Sequence, residues 1–250
     1  MQNTFLVGLS RQVALSRELD VVANNIANID TNGYKADGAL FEEYLSSSAR
    51  AETGGGVSFV RDRGLWHDMS AGAIEHTGNP LDLAINGDAF FAVQTPRGER
   101  YTRNGALHTD ATGQLVTSEG DPVLGTGGPI TFQPTDKQIS ISKDGIVSVR
   151  EGASTADVQR GTIRLVSFAK QQQLQKDGGS TFKPGANDAP QQATDATVEQ
   201  GTIEKSNVRG VVEMSRMIEI TRSYTQVATL LQQQGDLSQQ SIDKLAEVPN

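Results

Sequence analysis

Leu15, Leu19, Val22, Ile26 and Ile29 recur at spacings of four and three, a narrow apolar stripe on one side of an amphipathic helix. Neither Pro nor Gly interrupts the chain from Leu9 to Thr31, and Asn32-Gly33 then supplies a stop that tolerates the left-handed conformation. A second seam with the same rhythm lies near the other end, at Met217, Ile220, Tyr224, Val227 and Leu231. Its helix is predicted from about Ser206-Asn207, with Ser206 as N-cap, to about Leu245. Val211, Met214 and Ile218 form an adjoining stripe, so this helix begins with two apolar faces, and Gly235 is placed to kink it or to allow a close approach.

Between the seams the period changes from helical to alternating. Leu81, Leu83 and Ile85 alternate with Asp82 and Ala84, then Asn86-Gly87 and the run Phe90 to Val93 read as a hairpin. Further strands are predicted around Leu115-Val116, Ile139 to Ile141, Ile146 to Val149 and Ile163 to Phe168, punctuated by Asn104-Gly105, Thr112-Gly113 and Asp144-Gly145. The expected class is α+β: N- and C-terminal helices pairing as a coiled coil, with a central, mainly antiparallel β domain. The expected organisation is residues 1–35 as an N-terminal helix, 36–80 as a connecting segment, 81–204 as a β-rich domain and 205–250 as a C-terminal helix.

Two stretches read as less regular. In 36–80, Leu40, Phe41, Tyr44 and Leu45 suit a short helix or amphipathic segment, Gly54 to Gly56 a break and Val57 to Leu65 a strand, with the lone Trp66 expected in the core. Residues 170–200, rich in Gln, Gly, Pro and Asp, read as loops that bury little.

The formal net charge of −8 argues against a nucleic-acid partner, because phosphate binding needs clustered Lys and Arg. The excess of acid lies in the middle, since Arg11, Arg17 and Lys35 balance Glu18, Asp20 and Asp30 in the first 35 residues, and the last 46 also balance. Neutral helical ends suit close packing among copies, and an acidic middle suits a solvated body. There is no cysteine, hence no disulfide framework and no thiolate ligand. No basic region precedes the first apolar positions as in a cleavable signal peptide, and no run is apolar enough to span a bilayer. Taken alone, these features point to the cytoplasm.

Asn24, Asn25 and Asn28 stand out because Asn is a mediocre helix former. They read either as local capping and turn chemistry or as hydrogen-bonding groups aimed at a partner. The run they belong to, Ala23-Asn24-Asn25-Ile26-Ala27-Asn28 followed by Thr31, Gly33, Tyr34 and Lys35, resembles the N-terminal signature of the flagellar axial proteins, the family that builds the bacterial rod and hook. Two further blocks carry the resemblance inward: Asp82 to Val93, with its Gly turn and paired aromatics, and Tyr101-Thr102-Arg103-Asn104-Gly105. Ser206-Asn207-Val208, Glu213-Met214 and Met217 to Tyr224 resemble the family's C-terminal signature. Ala89 stands where the family commonly has Gly, Leu107 where it has an aromatic, and Thr221 and Ser223 depart from the commoner C-terminal pattern, while Arg222 and Tyr224 keep it.

No catalytic constellation survives inspection. Gly125 to Gly128 lacks the Lys-Ser/Thr of a phosphate loop, and His67, His76 and His108 stand at no metal-ligand spacing, which makes them structural or surface residues. The sequence offers no cofactor site. The resemblance implies a structural subunit, a proximal rod protein by its short length, with a distal rod protein as the alternative and the much larger hook protein disfavoured. It implies terminal helices in the inner layer of a helical tube and a β domain outside. The partners implied are copies of itself, other proximal and distal rod subunits, and the flagellar type III export apparatus, with no nucleic acid and no insertion into a membrane. The assembly contacts implied are the two seams, Leu15, Leu19, Val22, Ile26, Ile29 and Met217, Ile220, Tyr224, Val227, Leu231, with Asn24, Asn25 and Asn28. A rival reading from another class is a periplasmic binding module whose helices pair only on each other.

Overall fold

The structure is a computed structural model that describes residues 2–50, 56–152, 156–185 and 188–246. The chain divides into two compact units. The first holds the chain up to Ala27, Asp37–His67 and the chain from Arg209 onward; the second holds Asn28–Ala36 and Asp68–Val208.

The first unit is built on helix α1, Gln2–Ala27, and helix α2, Gly210–Ala246. They run antiparallel: Gly8 lies under Leu231, Glu18 meets Arg216 at 2.7 Å, and Asn25 reaches Glu213 at 3.3 Å. A Cβ added to Gly8 would sit 2.6 Å from Leu231 Cδ2, so the missing side chain is what lets the leucine lie flat on α1. Of the two seams, Val22 and Ile220 are buried, while Leu15, Leu19, Ile26, Met217, Tyr224, Val227 and Leu231 are half-buried.

α1 ends earlier than its apolar spacing suggests. Ile29 lies beyond Ala27 and is exposed; the chain there turns through Thr31 N–H to Asn28 O and Tyr34 N–H to Thr31 O. Asn side chains compete with helical backbone bonding, and three of them fall in the last turn and just after it. α2 begins later than expected, at Gly210. Its first free N–H groups, of Val212 and Glu213, bond the Arg209 carbonyl, and Ser206 Oγ instead accepts the Val208 N–H, closing a local turn.

Strands β1, Asp37–Arg50, and β2, Gly56–His67, form a two-stranded antiparallel ribbon from Asp37 opposite His67 onward. The segment around Leu40, Phe41, Tyr44 and Leu45 is therefore strand and not helix. Pairs of adjacent apolar residues fit either element, and here cross-strand pairing decides. The expected strand from Val57 lies within β2; Gly54 and Gly55 fall outside the described residues. Trp66 is 42 % exposed and not core. It lies across Gly38, where an added Cβ would come within 2.1 Å of its Nε1.

The second unit is a set of small antiparallel sheets. It includes strands β3, Ile74–His76, β4, Leu83–Asn86, β5, Phe90–Thr95, and β6, Gly98–Thr102. The main sheet has six strands in the order 175–176, 181–183, β6, β5, 165–167 and 191–192. The expected hairpin across Asn86-Gly87 does not form: β4 pairs with Thr197–Gln200, and β5 hairpins with β6. β5 is apolar from Phe90 to Val93 because both of its faces are covered there. Phe91 and Val93 enter one core with Leu83, Leu115, Val147 and Val149. Phe90 and Ala92 enter another, where Phe90 meets Phe168 and Phe182 edge-on at 5.8 Å.

That second core corrects the reading of residues 170–200. Leu174 and Phe182 are fully buried in it, on and beside short strands that complete the sheet edge. Two large apolar residues suffice to anchor a polar stretch, which composition averages out.

Candidate functional site

Three features set this molecule apart from an ordinary globular protein: apolar stripes on both helices, a buried ion cluster, and two groups of polar side chains that bind distant parts of the chain.

The stripes lie outside the seams. On α1, Phe5, Leu9 and Val13 follow one another at four-residue spacing beside Leu6, each between 43 and 62 % exposed. On α2, Val211, Met214 and Ile218 are 76, 52 and 57 % exposed. Past Ile218 the same side of α2 continues with Thr221, Thr225 and Thr229. Their hydroxyls donate to the carbonyls one turn back, at 2.7, 2.9 and 2.9 Å. These six residues carry no charge, Arg222 lines the same groove as the three threonines, and contiguous exposed apolar surface is in general a mark of interaction sites.

The predicted Asn residues separate in role. Asn25 is buried, with Oδ1 accepting the Asp37 N–H at 2.9 Å and Nδ2 donating to the Asp37 carbonyl at 2.8 Å. Asn28 Oδ1 accepts from Thr31 Oγ1 at 3.1 Å in the turn after α1, and Asn24 is exposed on α1. Asp37, itself buried, holds His67 Nδ1 at 2.6 Å through its carboxylate. Asn25, Asp37, His67 and Glu213 thus join the end of α1, the base of the ribbon and the start of α2, all within the first unit.

The second unit contains the ion cluster. Glu204, 1 % exposed, takes Lys35 Nζ on Oε1 at 2.6 Å and faces Arg103 Nε with Oε2 at 3.2 Å. Oε1 also accepts the Gly72 N–H, Lys35 donates to Ser70 O, and Arg103 donates to the carbonyls of Gly87 and Ala89. Burial pulls the Lys35 ammonium below its ordinary value, against the opposing pull of Glu204. Gly33, at φ +67, brings its backbone against Arg103-Asn104, where a Cβ would approach to 2.4 Å. Tyr34 is buried beneath Lys176, whose Nζ lies 3.7 Å from the ring centroid.

Asn207 binds the segments around this cluster. Its Oδ1 accepts the Ala36 N–H at 2.7 Å, its Nδ2 donates to Asp68 O and Ser70 O at 2.8 and 3.1 Å, and its N–H donates to Tyr34 O at 3.3 Å. The sequence marked Lys35, Arg103 and Asn207 within motifs without giving them a task and read His67 only as a structural or surface residue; it did not mark Glu204 or Asp37. Lys35 and Glu204 are 169 residues apart, and no local pattern reports such a pairing.

Among the described residues no group of three or more His, Cys, Asp or Glu side chains could hold a metal, and no helix is long and apolar enough to cross a membrane.

The comparisons with known proteins follow the same three regions. Residues 5–35 match the family model described as flagella basal body rod protein, 84–149 the flagellar hook protein FlgE/F/G D1 domain, and 199–244 the flagellar basal body rod FlgEFG protein C-terminal. The flagellar basal-body rod protein FlgF of Caulobacter vibrioides is 42 % identical over 250 residues, covering 99 % of this chain and all of its own. The chain belongs to the flagellar basal-body rod protein family. Within that family the FlgF of Mesorhizobium japonicum is 36 % identical, with 98 % of each chain covered. The rod protein FlgG of Bacillus subtilis is 31 % identical, over 97 % of this chain and 99 % of its own. The matched blocks contain the features described above: Asn25 and Lys35 in the first, Arg103 in the second, Glu204, Asn207 and the α2 stripe in the third.

Proposed function

We propose that this protein is a structural subunit of the flagellar basal-body rod, of the FlgF type, which assembles with copies of itself and with other rod proteins into the shaft that carries motor torque to the hook. Its place is the rod of the basal body in the periplasm, which it reaches through the flagellar type III export apparatus. It acts as a mechanical part and not as an enzyme.

The observation that carries the reading is the second apolar face of the helix pair. The two helices meet within one chain, with Leu231 on Gly8 and with Val22 and Ile220 buried, which supports reading the seams as serving the subunit first. That leaves the stripes at Phe5, Leu9 and Val13 and at Val211, Met214 and Ile218 for neighbours. A subunit packed through two different stripes makes heterologous contacts, and heterologous contacts that do not close give a filament. In this arrangement residues 1–35 and 205–250 form the inner helical layer and 81–204 the outer domain. A self-contained binding module has no use for a second exposed face.

Met214→Glu/Ile218→Glu tests the proposal in the host from which the gene has been deleted. The wild-type gene restores swimming, and the variant fails to restore it while its purified chain melts as the wild type does. A variant that swims normally removes the stripe from the assembly. A deletion that leaves swimming intact removes the rod assignment itself.

A further inference from the structure

The chain carries three Asn-Gly dipeptides, Asn32-Gly33, Asn86-Gly87 and Asn104-Gly105, and the fold treats them differently. In this dipeptide the glycine nitrogen can close on the asparagine side-chain carbonyl carbon, because the glycine has no Cβ to obstruct the approach. At Gly33 that nitrogen donates its N–H to Glu204 O at 2.7 Å, and the backbone is pressed on Arg103-Asn104. Asn104 is buried, its Oδ1 accepting the Ala106 N–H at 3.0 Å, and Gly105 abuts Leu83 O, where a Cβ would come within 1.7 Å. Asn86 ends β4 with its side chain exposed, and Gly87 follows at φ +113, also exposed. Among the described residues neither the Asn86 side-chain amide nor the Gly87 N–H has a hydrogen-bond partner.

We propose that Asn86 is a site of spontaneous self-modification, at which the side-chain amide is lost and aspartate and isoaspartate are left. The Gly87 nitrogen attacks Asn86 Cγ. The N–Cγ bond forms, the Cγ–Nδ2 bond breaks, and Nδ2 leaves as ammonia with the proton given up by Gly87. Water then opens the cyclic imide. Cleavage at Cγ gives aspartate; cleavage at the Asn86 main-chain carbonyl gives isoaspartate, with the chain now running through Cβ. Either product adds a carboxylate close to the exposed Asp88. Isoaspartate also lengthens the main chain by one carbon ahead of Gly87, whose carbonyl accepts from Arg103 Nη1 at 2.7 Å. Arg103 Nε faces Glu204 at 3.2 Å, so the change reaches the buried ion cluster of the same unit.

The test ages the purified full chain in mildly alkaline buffer, where the attacking nitrogen more readily loses its proton, and follows the three Asn-Gly peptides in one digest by mass. The same chain held unfolded in denaturant gives the rate of each dipeptide without the fold. Asn86 is expected to convert within threefold of its unfolded rate, and Asn32 and Asn104 at least tenfold more slowly than theirs. A protein-isoaspartate methyltransferase is expected to label the peptide bearing residue 86 in aged wild type and not in aged Asn86→Gln, since glutamine must close a larger and slower ring. Protection of Asn86 to the same degree as Asn32 and Asn104 overturns the proposal, as does a wild-type peptide that takes no label. Aged wild type is further expected to unfold at lower denaturant than aged Asn86→Gln, and equal midpoints overturn the reach to Arg103.

Discussion

Asn25 meets Asp37 as one strand meets another: Oδ1 accepts the Asp37 N–H at 2.9 Å while Nδ2 donates to the Asp37 carbonyl at 2.8 Å. The amide closes the eleven intervening residues into a loop whose two ends belong to one unit. A buried backbone group stripped of its partner costs about 1–3 kcal/mol. Asn25→Leu is therefore expected to destabilise the protein by about 2–4 kcal/mol, and Asn25→Asp by more, since it adds a carboxylate beside Glu213 and loses the donor. Thermal unfolding checks both. An Asn25→Asp chain as stable as wild type would mean that the acceptor alone matters.

Lys35→Met leaves Glu204 buried opposite Arg103 alone. Removing one member of a buried ion pair costs about 3–5 kcal/mol. The paired change Lys35→Met/Glu204→Gln is expected to cost less than the sum of the two single changes, because both single changes remove the same 2.6 Å ion pair. Equilibrium unfolding in denaturant reads the difference, and additive losses in the double variant would refute the coupling.

Gly33→Ala strains the chain twice, at a left-handed φ and against the Arg103-Asn104 peptide. The expected cost exceeds the roughly 1 kcal/mol of an ordinary Gly→Ala change at positive φ, because the neighbour is backbone and cannot rotate away. A melting temperature within a degree of wild type would show that the segment 33–36 can shift.

Acid should loosen the second unit through Asp136 and Asp177. The hydrogen bond from Arg160 holds the Asp136 carboxyl below its ordinary 3.8, and that from Arg100 does the same for Asp177. Folded-state values below the unfolded ones mean that the contribution is complete above pH 3.8 and is lost as pH falls through the folded-state values. Melting temperature plotted against pH is expected to drop below pH 4, and Arg160→Gln to flatten part of that drop. A slope unchanged by Arg160→Gln would place the acid sensitivity elsewhere.

What the sequence made legible was what repeats locally. Both terminal helices and the β character of the middle follow from periods of 3.5 and 2. Element ends were less legible, because at Asn28 to Tyr34 and Ser206 to Arg209 tertiary bonds take over groups that would otherwise extend or cap a helix. The ribbon was misread in its first strand because adjacent apolar pairs suit helix and strand alike. Trp66 was misplaced because a glycine across the ribbon gives it a perch outside the core. The hydrogen bonds of Asn25 and Asn207 and the ion cluster were invisible, each bond joining residues separated by 12 to 188 positions, with no pattern along the chain to announce them.

The threonine stripe of α2 has a consequence for how copies find their places. With Thr221, Thr225 and Thr229 each spending its hydroxyl on its own backbone, these residues offer an incoming helix of the proposed assembly methyl groups and no free donor, and the donors in the same groove belong to Arg222, Gln226 and Gln233. The threonines by themselves grip without indexing, much as a smooth bearing does. The alignment of one subunit on the next must then be read from features beyond the stripe, and a change confined to these threonines would loosen the grip while leaving the alignment unaltered.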